Sequence, residues 1–321
     1  MSVIEAMPAP ADLLRIANLS RAQLERVLGL ALQMKSRPQK WYKALRGQSL
    51  AGFFEQPAAG TRVSFAAAAY RLGMQPIILR PDELQLDSAE VIGDTARVLS
   101  SYASAIVIRG FAQDTLEQIA DAATVPVINA LSAEHHPGQA LADLLTLREH
   151  FGRLQGLRLA YIGDANNVAH SLIEAGALAG MRVTVAAPPA YLPDRAVVRQ
   201  AERAALDHGG SLCVINDPLA AVLEADVLYT NVWDASGDPE VHARRVADLS
   251  DYQVNAALMA RARPHAVFMH CLPAHRGEEV SAEVIDVPAS LVWAQAANHL
   301  PIEQAVIYLL ISGRWDERGE I

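Results

Sequence analysis

Apolar residues along this chain fall into two alternating rhythms. Short continuous runs, Ser49-Leu50-Ala51-Gly52-Phe53-Phe54, Pro76-Ile77-Ile78-Leu79, Ala105-Ile106-Val107-Ile108 and Val125-Pro126-Val127-Ile128-Asn129-Ala130, read as strands. Between them, Val63 to Leu72, Ala89 to Tyr102 and Leu116 to Ala123 carry helical spacing. The stretch Asp12 to Lys40 is also periodic, with Leu13, Leu14, Ile16 and Ala17 in one cluster and Leu24, Val27, Leu28, Ala31 and Leu32 in the next. Ser20 followed by Gln23 is a capping-box pattern that starts its second helix.

The second half repeats the theme. Leu157 to Ile162 reads as a strand that empties onto Gly163-Asp164-Ala165-Asn166-Asn167, then a helix from Val168 to Ala179 and a strand opening at Gly180 to Ala186. Asp226 to Thr230 is a later strand, and Ala266-Val267-Phe268-Met269 another, which empties onto His270-Cys271-Leu272-Pro273-Ala274-His275-Arg276-Gly277-Glu278-Glu279-Val280. His135-His136-Pro137-Gly138-Gln139 leads into a long helix from Ala140 that crosses to the next domain, with Pro137 suited to its first turn. Ala289 to Ile311 reads as a strand-like lead-in and a long amphipathic helix folding back on the amino-terminal domain. Strand, polar loop and helix in repetition are the sequence form of βαβ units, so the fold class is α/β with parallel sheets.

Length and charge narrow the function classes. A chain of 321 residues, 51% apolar, is long enough for two domains. Its 27 basic against 36 acidic residues give a net charge of −9, and no basic block is long enough for a nucleic-acid footprint. No window approaches the ~20 apolar residues of a membrane span, and the first residues have no signal-type apolar run. Two separated cysteines make no disulfide framework, so a cytoplasmic protein is expected. Cys213 lacks a CxxC or HxxxH partner, so no metal is expected; Gly163-Asp164-Ala165-Asn166-Asn167 is not GxGxxG, and no cofactor is expected either.

Two stretches could carry chemistry. The loop after Met269 delivers a thiol, two imidazoles and a guanidinium at a strand's carboxyl end, where open α/β sheets bind ligands. A nucleophilic Cys271 would need His270 or His275 as its base; the alternative is a packed loop with a buried thiol. The turn Glu55-Gln56-Pro57-Ala58-Ala59-Gly60-Thr61-Arg62 joins a strand to a helix amino end, which makes either an anion site from backbone N–H groups or an ordinary βα loop.

The motifs carry a resemblance over nearly the whole length. HCLPAHRGEEV at His270, HPxQALADL at His136, GDxNNVAHSL at Gly163 and DTARVLS at Asp94 are those of the aspartate/ornithine carbamoyltransferase family, on its ornithine side. That resemblance implies two doubly wound domains joined by interdomain helices: residues 1–146 for carbamoyl phosphate, with a helix at about 295–321 packing back on them, and residues 147–294 for the amino-acid acceptor. It further implies a homotrimer with sites between subunits, and attack by a neutral amine on the carbamoyl carbonyl without a covalent enzyme intermediate. Arg109, His136 and Gln139 match groups that hold the donor, and Ala59, Gly60, Thr61 and Arg62 match its phosphate cradle. Cys271 and the Leu272 carbonyl match contacts to the carbamoyl group and amine, which removes Cys271 as a nucleophile, and Asn167 matches recognition of the acceptor's α-carboxylate.

Departures from the family pattern are specific. Ala58-Ala59-Gly60-Thr61-Arg62 stands for Ser-Thr-Arg-Thr-Arg, and Ala297-Asn298-His299-Leu300 for Glu-Asn-Arg-Leu, so guanidinium groups are missing at Gly60 and His299. Asn231-Val232-Trp233-Asp234-Ala235-Ser236-Gly237 stands for Asp-x-Trp-x-Ser-Met-Gly, so the aspartate that pairs with ornithine's α-ammonium is neutral Asn231, with Ala235 and Ser236 beside it in the acceptor loop. Gly60 and Gly138 both replace bulkier residues, which implies a donor larger or less charged than carbamoyl phosphate. Three functions follow: a carbamoyltransferase-like enzyme with an amino-acid-like acceptor other than ornithine, a silent ligand-binding or regulatory relative, or an enzyme of this fold with different chemistry on a ureido compound.

Overall fold

The computed structural model describes residues 11–55, 59–80, 89–234 and 238–316. They form two compact units, Met1–Leu141 with His299–Ile321, and Ala142–Asn298. The division falls inside two helices, Pro137–Phe151 and Val292–Ser312.

In the first unit, β1 (Ser49–Phe54), β2 (Gln75–Leu79), β3 (Ala105–Arg109) and β4 (Val127–Leu131) form a parallel sheet in the order β2-β1-β3-β4. In the second, β5 (Arg158–Ile162), β6 (Arg182–Ala186), β7 (Ser211–Ile215), β8 (Val227–Thr230) and β9 (Val267–His270) follow the order β7-β6-β5-β8-β9, again all parallel. Helices cover the central strands β1, β3, β5 and β8, which like β9 at the second sheet's other edge are almost wholly buried, and their sequences are continuous apolar runs. The edge strands β2 and β7 instead alternate exposed and half-buried positions.

Each chain half runs outward in one direction and then returns to the other side of its first strand. The order therefore reverses between β1 and β3 in the first unit and between β5 and β8 in the second. Crevices at the carboxyl ends of such strand pairs are where open α/β sheets hold ligands. The loops there carry Ala59 to Arg62 and Arg109 in one unit, and Gly163 to Asn167 with Asn231 in the other.

Two expectations are corrected. Asp12 to Leu19 is not a helix: Leu13 makes an isolated parallel bridge with Ile128, the Asp12 carboxylate accepts the Val127 N–H, and only Ile16–Asn18 form a 3₁₀ turn. Its apolar spacing records the burial of Leu13, Ile16 and Leu19, every third residue of a segment fixed by its bridge to β4 and one 3₁₀ turn. The predicted capping box at Ser20 does start the helix Arg21–Ser36, with the Ser20 side chain accepting the Gln23 N–H. The carboxyl-terminal helix follows a bridge at Ser290 beside Phe268, but it is not amphipathic throughout: Pro301 to Leu310 are all buried. A helix buried on every side shows no polar stripe.

Candidate active site

Residues of the first unit converge around Arg109. β3 and β4 shift register between Ile108 and Arg109, and Gly110 follows at φ +113°, where a Cβ would strike Glu55. Glycine is thus demanded by the backbone at Gly110, whereas a Cβ on Gly60 or Gly138 meets nothing within 4 Å among the described residues. The bulge aims the Arg109 side chain onward, and its Nη1 donates to Thr61 Oγ1 at 3.0 Å. Thr61 belongs to the first turn of the helix Ala59–Arg71, where the leading N–H groups have no intrahelical acceptor. Ala59 and Gly60 are exposed there and Arg62 is half-buried; Gln56, Pro57 and Ala58 of the predicted turn lie outside the described residues.

His136 and Gln139 come from the start of the helix Pro137–Phe151. His136 is buried, and that burial, with Arg109 and His299 nearby, holds its pKa well below the ordinary value, so the imidazole is neutral. Gln139 Oε1 lies 2.9 Å from His299 Nε2. On its other side, His299 Nδ1 is 3.6 Å from Glu303 Oε1, which also accepts the Ser64 hydroxyl at 2.7 Å. Burial raises the Glu303 pKa, and hydrogen bonding to His299 and Ser64 opposes the rise. Sequence reading missed Glu303 and Ser64; a carboxylate inside the apolar run Ile302 to Ile311 was the available signal.

In the second unit, β8 ends at Thr230, just before Asn231, and β9 at His270. Asn231 is buried; its Nδ2 donates to Asn166 Oδ1 at 3.3 Å and its Oδ1 accepts the Cys271 thiol at 2.7 Å. Asn166 caps the helix Asn167–Ala179 by accepting the Val168 N–H, which leaves Asn167 as the first residue of a helix amino end, a suitable place for a carboxylate. Beneath the thiol lie Tyr161 and Tyr229, stacked with centroids 5.8 Å apart, whose burial keeps both phenols protonated. Buried Gln295 bonds Asp143 at 2.8 Å and the His270 N–H at 3.0 Å. Ala235 and Ser236 lie outside the described residues.

Neither His270 nor His275 is placed as the thiol's base. His270 Nδ1 accepts the Leu272 N–H at 2.8 Å, which fixes the ring proton on Nε2, and Nε2 donates to Glu279 Oε1 at 3.2 Å. Burial would raise the Glu279 pKa, but hydrogen bonds from His270, from the His275 N–H and from its own backbone outweigh it and lower the pKa. His275 turns instead toward Glu278, at 3.4 Å. Arg276 forms a two-pronged exposed pair with Asp286 at 2.7 and 2.9 Å, so it braces the loop's surface. The turn after β9 is a packed support for Cys271 and Leu272. Asp164 and Arg245, 2.6 Å apart, do the same for the acceptor loop, because Arg245 also donates to the Trp233 carbonyl at 2.8 Å.

Comparisons with known proteins agree over most of the chain. Residues 11–149 match the aspartate/ornithine carbamoyltransferase carbamoyl-P binding domain, and residues 155–310 match the Asp/Orn binding domain of the same family. The chain is 45% identical over 302 residues to an ornithine carbamoyltransferase of Anoxybacillus flavithermus, spanning 94% of this chain and 96% of that one. It is likewise 45% identical over 304 residues to one of Thermococcus kodakarensis, again at 94% and 96%. The solved ornithine carbamoyltransferase from Pyrococcus furiosus superposes with a TM-score of 0.92 at 44% identity, covering 95% of this chain and 98% of that one.

Proposed function

The chain belongs to the aspartate/ornithine carbamoyltransferase family, and from that premise we propose that it transfers a carbamoyl or related group to the amine of an amino-acid-like acceptor other than ornithine. The donor half of the reading rests on Arg109, Thr61, His136 and Gln139, which gather a guanidinium, a hydroxyl, a neutral imidazole and an amide at one crevice. Such a set suits the polarisation of a carbonyl oxygen and the charge of a leaving oxyanion. The amine forms a bond to the carbonyl carbon as the bond to the leaving oxygen breaks, and the amine's proton passes to solvent. Holding the reactants in line is the main work the protein performs.

The observation that carries the acceptor half is the neutral chain Cys271–Asn231–Asn166. Its two amides and the thiol bond to one another, and Asn231 itself offers no charge to pair with an α-ammonium. Leaving a buried ammonium without its partner costs about 3–5 kcal/mol, which favours an acceptor whose α-amino group is blocked or absent. Phosphate release from carbamoyl phosphate with ornithine, N-acylated ornithines and simple diamines tests this. Turnover best with a blocked or absent α-amino group is expected, and Asn231→Asp should move preference toward ornithine by about tenfold or more. Ornithine as the best substrate of the unaltered protein would overturn the acceptor assignment. A homotrimer in the cytoplasm belongs to the same reading, supported by the family resemblance, and sedimentation equilibrium tests the assembly.

A second reading, a ligand-binding relative without turnover, is favoured by the absence of guanidinium groups at Gly60 and His299. Ligand-dependent thermal stabilisation without product from any amine is its signature.

A further inference from the structure

The turn after β9 contains carboxylate oxygens that no protein donor satisfies. Glu279 is fully buried; its Oε1 accepts the His270 ring and the His275 N–H, but Oε2 is buried without a hydrogen-bond partner among the described residues. Glu278 Oε2 is equally cut off from solvent and has no such partner, although His275 Nδ1 stands 3.4 Å away. The other oxygen of Glu278, Oε1, faces His242 Nε2 at 3.4 Å. Behind that ring, Asp234 Oδ2 lies 3.7 Å from His242 Nδ1. One ring nitrogen of His275 and one oxygen each of Glu278 and Glu279 lie within 4.8 Å of one another.

These spacings fit a cation better than a hydrogen-bond network. A gap of 3.4 Å from imidazole nitrogen to carboxylate oxygen is long for a hydrogen bond. It is close to the ~3.3 Å that separates two ligands of a tetrahedral ion whose bonds are ~2.0–2.1 Å. Leaving buried carboxylate oxygens unsatisfied is costly, and a divalent cation satisfies several at once. We propose that His275, Glu278 and Glu279 bind a zinc-type divalent cation, with His242 closing the fourth position by turning its half-exposed ring. Imidazole nitrogen with carboxylate oxygen suits zinc, whereas magnesium and calcium take oxygen alone. Asp234 stands where a carboxylate orients a metal-bound imidazole. All five residues belong to the second unit, and the site does not depend on which acceptor the protein uses. His242 lies on the helix Pro239–Leu249, which follows the acceptor loop, so the ion would tie that helix to the turn carrying Cys271 and Leu272.

The test is equilibrium dialysis of the full-length protein against Zn2+, with the retained metal measured. A single tightly held ion per chain is expected, and excess Mg2+ or Ca2+ should not displace it. Cobalt(II) in its place should give the strong visible absorption of tetrahedral coordination. His275→Ala and Glu278→Gln should each weaken binding by about a hundredfold or more, since loss of a group behind a ligand already costs about tenfold to a hundredfold. His275 is exposed and Glu278 half-buried, so both variants should fold, and their thermal midpoints without metal check this. Cys271→Ser, which removes the nearby thiol, should leave the affinity unchanged. Zinc should also slow amide hydrogen exchange in Pro239–Leu249, and His242→Ala should lose that slowing while keeping the ion more weakly. No retained zinc, or affinity unaltered in His275→Ala and Glu278→Gln, would overturn the proposal. Loss of the ion in Cys271→Ser alone would place it at the thiol and overturn it equally.

Discussion

The two candidate crevices solve the same problem in opposite ways. Around Arg109 the first unit gathers charge: a guanidinium, a neutral imidazole, a histidine–glutamate pair and a helix amino end, brought from four separate segments. Around Cys271 the second unit gathers a thiol, two amides and two protonated phenols, and keeps its paired carboxylates in the supporting layer at His270–Glu279 and Arg245–Asp164. Charge in a low-dielectric crevice acts strongly on a reacting group. Neutral hydrogen bonds act weakly and mainly fix shape. The first crevice is therefore equipped to polarise and the second to select, and substitutions should affect rate in one and specificity or stability in the other.

The largest effect expected is structural and lies in the second unit's supporting layer. Glu279→Ala leaves the buried His270 ring and the His275 N–H without their acceptor, and should lower the unfolding free energy by about 2–6 kcal/mol in chemical denaturation, about 1–3 for each donor left unsatisfied. A loss below about 1 kcal/mol would mean that the buried pair is not a determinant of the turn. Next, Arg109→Ala should reduce kcat/KM by about a hundredfold to a thousandfold, the usual result of removing one donor from a charge-stabilising site, while the protein keeps its thermal midpoint. Equal losses in rate and stability would break the distinction between the two crevices.

A smaller effect is expected at the thiol. Cys271→Ser keeps a donor for Asn231 Oδ1 and should retain activity within about tenfold, because the two histidines of its turn are engaged with Glu279 and Glu278 and not with the thiol. Trapping of a covalent carbamoyl-thiol adduct during turnover would contradict this. The smallest effect concerns pH. His136 is depressed from its ordinary value of 6.5 by burial, then by Arg109 and His299. The unfolded chain takes up a proton as pH falls below 6.5 while the folded chain does not, so the stability it contributes is present above 6.5 and lost below it. Thermal midpoints of the protein and of His136→Gln across that range should therefore diverge in slope on the acid side. Parallel curves would mean that His136 is not held neutral.

Much of the fold was legible from local pattern. Continuous apolar runs marked β1, β3, β5, β8 and β9, because strands covered on both faces need them. The half-exposed edge strand β7 and the helices Arg195–Asp207, Pro218–Val222 and Pro239–Leu249 went unread, although Asp194, Asp217 and Asp238 cap those helices and two of them precede a proline. Aspartate followed by proline is a helix-start signal of the same kind as the capping box that was read at Ser20. The segment after Asp12 misled for the converse reason: it is held by β4, and its own hydrogen bonds close no more than a 3₁₀ turn.

The sequence by itself determined the α/β alternation, the polar loops at strand ends and the family motifs, since each is written in residues a few positions apart. Tertiary structure alone decided which side chains act together. Ser64 reaches Glu303 across 239 positions, His299 reaches Gln139 across 160, and Cys271 reaches Asn231 across 40. No spacing rule links such residues, because their proximity comes from the order in which parallel strands are laid into a sheet and from the helices that pack beside them. The same packing removes water from Glu303 and His136, and that burial is what gives their charges or protons meaning.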